Sequence, residues 1–343
     1  MNKVFLRHHI ISFFNESDFF CFIIWERVHM KSTSWIILAS IFLMAGNASG
    51  AGIKDESDPW GSASKEKTQF FKTEDVSEET VKLTRKWHEV AAKAWGNYGP
   101  TEFWLVGKSA EAAEELNRKY CEIRKEKDPQ LRLKDCLRRG HSFADYVRDG
   151  GAGLNTRRDE HSEWSGFIIT MSAKYPGPEE EDYKAVVLHE YFHIYQHAHI
   201  FSRKESERNS RNQVNPWWAE GGAEYMAQLL YSRQKDVRPE YLKEKMRRKL
   251  RSLKDLKNGE SIDEIPYGKR AMIAYDLGAW LIAYLIDRTS EEAYLKGFYA
   301  DLNKEGFEGS FQKNFDMSSK KLLEDFHQKF LKLSPDEMLK ILP

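Results

Sequence analysis

Residues 185–201 read Ala185-Val186-Val187-Leu188-His189-Glu190-Tyr191-Phe192-His193-Ile194-Tyr195-Gln196-His197-Ala198-His199-Ile200-Phe201. The unbroken apolar and polar mixture, opened by Pro178 and the acidic residues Glu179 to Asp182, predicts one helix over 179–201. Four residues separate His189 from His193, so both imidazoles lie on one helix face, one turn apart. Two nitrogens so placed reach a single ion. A zinc ion, bonded at about 2.0–2.1 Å, would take both and leave Glu190, the next residue, beside the place a water would hold.

A hydrolytic zinc site needs a third protein ligand, and two residues compete for it. His199 stands six residues after His193, but the position that would need glycine to turn the chain back holds Gln196. If the helix continues, six residues rotate His199 by about 240° from His193, away from the metal. His197 and His199 therefore read as solvated or packing residues. Glu220 is the better candidate. It lies in Trp217-Trp218-Ala219-Glu220-Gly221-Gly222-Ala223-Glu224-Tyr225, on the next helix over 216–232. Gly221 and Gly222 each cost a helix roughly 1 kcal/mol relative to alanine, and a close approach of the two helices would explain them. Glu224, one turn on, would accept the second N–H of a zinc-bound histidine, its alternative being a surface salt bridge.

These residues resemble the gluzincin zinc metallopeptidases, the peptidase MA-like domains of the thermolysin and zinc-aminopeptidase superfamily. Their pattern W-x-x-E-G-x-A falls on Trp217 to Ala223, and the resemblance implies Glu220 as third ligand and Glu190 as general base. The aminopeptidase branch carries a later Tyr-x-x-Gly, found here as Tyr275-Asp276-Leu277-Gly278. That likeness makes Tyr275 the expected donor to the reaction's oxyanion. It also implies that the strand before the active-site helix pairs with substrate, which here would be Phe167 to Ser172. Two features depart from the pattern. A polar insertion at 202–213 lengthens the gap between His193 and Glu220, and Asp149-Gly150-Gly151-Ala152-Gly153 lacks the glutamate that grips a substrate amino group.

Outward from the motif, the C-terminal half reads as helices over 216–232, 239–256, 270–287, 291–303 and 319–333. Ahead of it, 80–95 and 110–125 read as helices, and 101–106 and 167–172 as strands. The expectation is an α+β, zincin-like fold: a small sheet with the active-site helix, then a mainly helical half. Met30-Lys31, the apolar run 35–45 and the small residues Ala48 to Ala51 form a secretory signal, with Met30 as an alternative start. Residues 1–50 are thus read as leader and signal, 51–75 as a flexible polar lead-in, and 76–343 as a single metallopeptidase domain. The run 35–45 is short of the roughly 20 residues a membrane span needs, so export to periplasm or medium without an anchor is expected.

With 53 basic and 53 acidic residues the chain has no net field to draw it onto nucleic acid. Export would leave Cys121 and Cys136 as a pair, and a disulfide is the favoured reading. The expected activity is zinc-dependent hydrolysis of peptides or proteins, one Zn2+ per chain. A non-catalytic, exported peptide- or envelope-binding module on the same fold is the alternative, and a zinc hydrolase of non-protein substrates a third reading.

Overall fold

A computed structural model describes residues 60–139, 143–160 and 164–343. The signal and leader expected over 1–50 lie outside them. The described chain opens with β1 (Gln69–Lys72), α1 (Glu78–Trp95), β2 (Thr101–Val106), α2 (Ala110–Lys127), α3 (Leu133–Arg139) and α4 (Phe143–Asp149). Then come β3 (Ala152–Arg157), β4 (Gly166–Ser172), α5 (Glu181–Ala198), α6 (Glu205–Arg211), α7 (Pro216–Ser232) and α8 (Tyr241–Lys249). After 3-10 turns come α9 (Ala271–Arg288), a π-helical turn over Ala293–Phe298, α10 (Tyr299–Phe315), α11 (Ser319–Gln328) and the short α12 (Pro335–Met338). The α+β expectation is borne out, and no helix among the described residues is long and apolar enough to cross a membrane.

Four strands form one sheet in the order β1-β2-β4-β3, parallel except for β3, which runs antiparallel to β4. Every residue of β2 and β4 is buried, because each strand is paired on both sides and both faces of the sheet are covered. This corrects one expectation: Phe167 to Ser172 is an interior strand with no free hydrogen-bonding edge. The edges are β1 and β3, and β3, beside β4, is the one the sequence hid. Gly150 and Gly151, with φ of 80° and 85°, turn the chain out of α4 into it, so the glycine run over 149–153 serves a left-handed turn.

The polar lead-in also needs correction. Trp60 is buried, stacked on Phe167 of β4 with ring centroids 4.5 Å apart, and its indole N–H donates to the carbonyl of Ile200 at 3.0 Å. Residues 69–72 add β1 to the sheet, so order sets in well inside the stretch 51–75 expected to be flexible. Ser77 does cap α1, accepting from the amide of Thr80. Asn215 stands at the N-cap of α7 but its side chain makes no capping bond; Pro216 at the first helical position is what starts that helix. The insertion over 202–213 holds α6, and Gly306, at φ 70°, kinks α10.

The main core lies between the sheet and helices α1, α5, α7 and α9, and a second cluster fills the other sheet face under α2 and α4. Cys121 and Cys136 are joined, tying α2 to α3 across 5.7 Å between Cα atoms.

Candidate metal centre

α5 is buried along nearly its whole length, which brings His189, Glu190 and His193 into the interior at 4%, 3% and 8% exposure. α7 packs alongside and presents Glu220, and α9 packs on α7 in turn. The glycines set these spacings, though not as expected from the sequence. A methyl group placed on Gly221 would stand 2.6 Å from the Cα of Gly278, so Gly221 serves the crossing with α9. One on Gly222 would stand 2.5 Å from the Tyr294 hydroxyl and 3.2 Å from Gln196 Nε2, so Gly222 is the one that faces α5.

His189 Nε2, His193 Nε2 and Glu220 Oε2 converge. The imidazole nitrogens are 3.1 Å apart, and the carboxylate oxygen is 3.2 Å from the first and 3.1 Å from the second. A tetrahedral zinc with bonds of about 2.0–2.1 Å spaces its ligands by about 3.3 Å, so the three atoms fit that ion without rearrangement. Among the described residues this trio is the one group of histidine, cysteine and carboxylate side chains close enough to hold a metal.

The groups behind these three are equally specific. Glu224 Oε2 lies 3.2 Å from His189 Nδ1, near enough for ionic attraction but off the line of a well-formed hydrogen bond. Its other oxygen takes Lys249 Nζ at 2.7 Å and Gln228 Nε2 at 2.9 Å, and Lys249 also reaches Asp276 at 3.1 Å. Glu224 is therefore buried within a charge network and is no surface salt bridge. Gln196 Oε1 stands 2.7 Å from His193 Nδ1. The Tyr267 hydroxyl donates to Glu220 Oε1 at 2.8 Å, leaving Oε2 to face the imidazoles. Tyr275 is buried, its ring parallel to that of His189 at 6.4 Å.

Electrostatics follow from that crowding. Burial works against the charged form of Glu220, yet the two imidazoles beside it outweigh burial and hold its carboxyl well below the usual range. Burial likewise opposes a charged His189, but Glu220 and Glu224 overcome it and push that imidazole up to about 10. Glu190 goes the other way: burial raises its carboxyl, with the imidazoles only partly offsetting this. Burial, then the negative charge of Glu220, keeps both the Tyr267 and Tyr275 hydroxyls protonated far above their ordinary range.

His199 is outside the trio. Its Nδ1 bonds the carbonyl of Tyr195 at 2.7 Å and its ring packs against Tyr195, Tyr98 and Tyr299, a packing role as expected. Trp217 and Trp218 are buried against each other and the aromatic side chains of α10. Tyr267 went unread in the sequence, and Gln196 was read only as the residue standing where a turn would need glycine. The signal for Tyr267 is faint: a tyrosine between Pro266 and Gly268, in a turn just before a long apolar helix.

Nothing among curated proteins matches this chain, and nothing among solved structures does. Residues 182–325, from the first turn of α5 into α11, match the family model of the M61 glycyl aminopeptidases. That stretch contains every residue of the centre, and the family is one of gluzincin-type zinc peptidases, so the likeness first seen in His189 to His193 and Trp217 to Ala223 is borne out over 182–325.

Proposed function

We propose that the protein is an exported peptidase that holds one zinc ion on His189, His193 and Glu220 and hydrolyses peptide bonds with Glu190 as general base. The observation that carries this reading is the convergence of two imidazole nitrogens and one carboxylate oxygen, each 3.1–3.2 Å from the others, in a buried site. Bound there, zinc would supply Lewis acidity, bringing the pKa of a water towards about 7.

The side chains supply the rest. Glu190 adjoins His189 on α5, and burial raises its carboxyl, as suits a group that first accepts and then returns a proton. It takes the proton of the attacking water as the water oxygen bonds to the peptide carbonyl carbon. As the C–N bond breaks, the same proton passes to the leaving amine. The phenol of Tyr275, kept protonated by burial and Glu220, is a donor for the oxygen on which negative charge grows, an interaction typically worth about 2.7–4 kcal/mol.

Substrate backbone has one open partner near the centre in β3, the edge strand antiparallel to β4. Strand addition along it reads backbone and tolerates varied side chains. Aminopeptidase specificity is no part of this proposal. Asp149, the one acid of the turn before β3, is bound to the Arg148 guanidinium at 2.7 Å and lies in an exposed pair. The Cys121–Cys136 bridge supports the expectation of export, since such bonds persist in oxidising compartments.

Glu190→Gln tests the reading. We expect the variant to take up zinc as the wild type does and to lose cleavage of a peptide library by about 10²–10⁴-fold. Wild-type cleavage by the variant would contradict the assignment, and wild-type peptide binding without turnover would point to a binding module instead.

A further inference from the structure

We infer that Gln196 is a positioning residue for the metal centre: it fixes the tautomer of His193 and locks that ligand to the segment of α7 that carries Glu220. The inference rests on the metallopeptidase reading above and concerns a residue that takes no part in the chemistry itself.

Gln196 is 3% exposed and follows His193 by one turn of α5. Its amide makes three contacts. Nε2 is 2.9 Å from the carbonyl of Ala219 and 3.3 Å from the Tyr299 hydroxyl, and Oε1 is 2.7 Å from His193 Nδ1. A peptide carbonyl only accepts, so the end of the amide facing Ala219 has to be the NH2 group. Its two hydrogens then serve Ala219 and Tyr299, and the opposite end, facing His193, is the amide oxygen. That oxygen only accepts, so His193 Nδ1 carries the proton and Nε2 keeps its lone pair for the centre. Thus a main-chain carbonyl one residue before Glu220 dictates which nitrogen of His193 is free.

The two histidines are held by different means. His189 is backed by the carboxylate of Glu224, itself balanced by Lys249, whereas His193 is backed by a neutral amide that adds no charge. Space for the amide comes from Gly222, where any Cβ would sit 3.2 Å from Gln196 Nε2. The same glutamine lets α5 run on to Ala198, which carries His199 away from the centre.

The test uses the full chain, with Gln196→Met and Gln196→Glu beside the wild type. Zinc and cobalt(II) affinities are measured by chelator competition, and the solvent-exchangeable histidine N–H signals of the cobalt-loaded proteins by proton NMR. We expect Gln196→Met to bind both metals about 10–100-fold more weakly, the usual effect of removing a group behind a ligand, and to exchange the His193 N–H faster with water. Gln196→Glu keeps an acceptor for Nδ1 but sets a carboxylate oxygen against the Ala219 carbonyl. It should restore the slow N–H while recovering only part of the affinity. A Gln196→Met protein with wild-type affinity and wild-type N–H exchange would overturn the inference. If that variant does not fold, a wild-type cobalt spectrum lacking a slowly exchanging His193 N–H would do so. A wild type that binds neither metal would remove the metal-site reading and this inference with it, whereas wild-type uptake beside an unaffected variant removes this inference alone.

Discussion

Glu102 and Glu220 are both buried to 1% exposure, yet their surroundings are opposite. Glu102, on β2, is enclosed by donors: Arg124, Lys127 Nζ at 2.5 Å and the Trp104 indole N–H at 2.9 Å, with Arg124 stacked over the ring of Trp164. Its charge is matched from within the chain. Glu220, on α7, faces two imidazole nitrogens that also face each other, so three atoms of metal-ligating type meet at one point with no lysine or arginine among them. The first carboxylate completes a structure; the second leaves a place for a cation. A buried acid is a candidate for function when its partners are imidazoles able to ligate a metal and not lysine or arginine, and burial by itself does not distinguish the two.

The sharpest way to break this comparison is to neutralise the structural acid. Glu102→Gln would leave Arg124 and Lys127 uncompensated and should cost about 3–5 kcal/mol of stability, read by denaturant unfolding, while zinc uptake per folded chain stays unchanged. Lost zinc uptake in that variant would mean that the two sites are coupled. Metal removal should act on the other half. Chelation should lower wild-type stability by about 2.7 kcal/mol relative to zinc at one hundred times its Kd, seen as a drop in Tm, and should leave Glu102→Gln just as metal-sensitive. The smallest effect belongs to Tyr267→Phe. Losing one hydrogen bond to a charged group, worth about 1.5–3 kcal/mol, should weaken zinc binding by about 10–150-fold without unfolding the chain, as read by chelator competition. An unchanged affinity would show that Glu220 needs no tether on its outer oxygen.

The two regions also differ in how much of each a sequence discloses. The centre was legible because its parts are local and periodic. His189 and His193 are one helical turn apart, and Glu220 sits in a stretch whose two glycines ask for an explanation. What was not legible depends on contacts distant along the chain. Tyr267 meets Glu220 across 47 residues, and Gln196 reaches Ala219 across 23, so neither leaves a periodic trace. Trp60 was read as part of a polar lead-in because the carbonyl it binds lies 140 residues away. β3 escaped for a different reason. Ala152-Gly153-Leu154-Asn155-Thr156-Arg157 is poor in strand-forming residues and is extended because β4 offers it a ladder, a tertiary effect that overrides local preference. The family likeness put substrate on β4, the strand before α5, but the sheet order leaves the edges to β1 and β3.

Zinc content is the deciding quantity. Elemental mass spectrometry on the purified mature chain, wild type beside Glu220→Ala and His199→Ala, measures it directly. We predict one zinc per chain in the wild type and in His199→Ala, and a marked loss in Glu220→Ala. Zinc that survives the loss of Glu220, or that disappears with His199, would contradict the centre described for this protein.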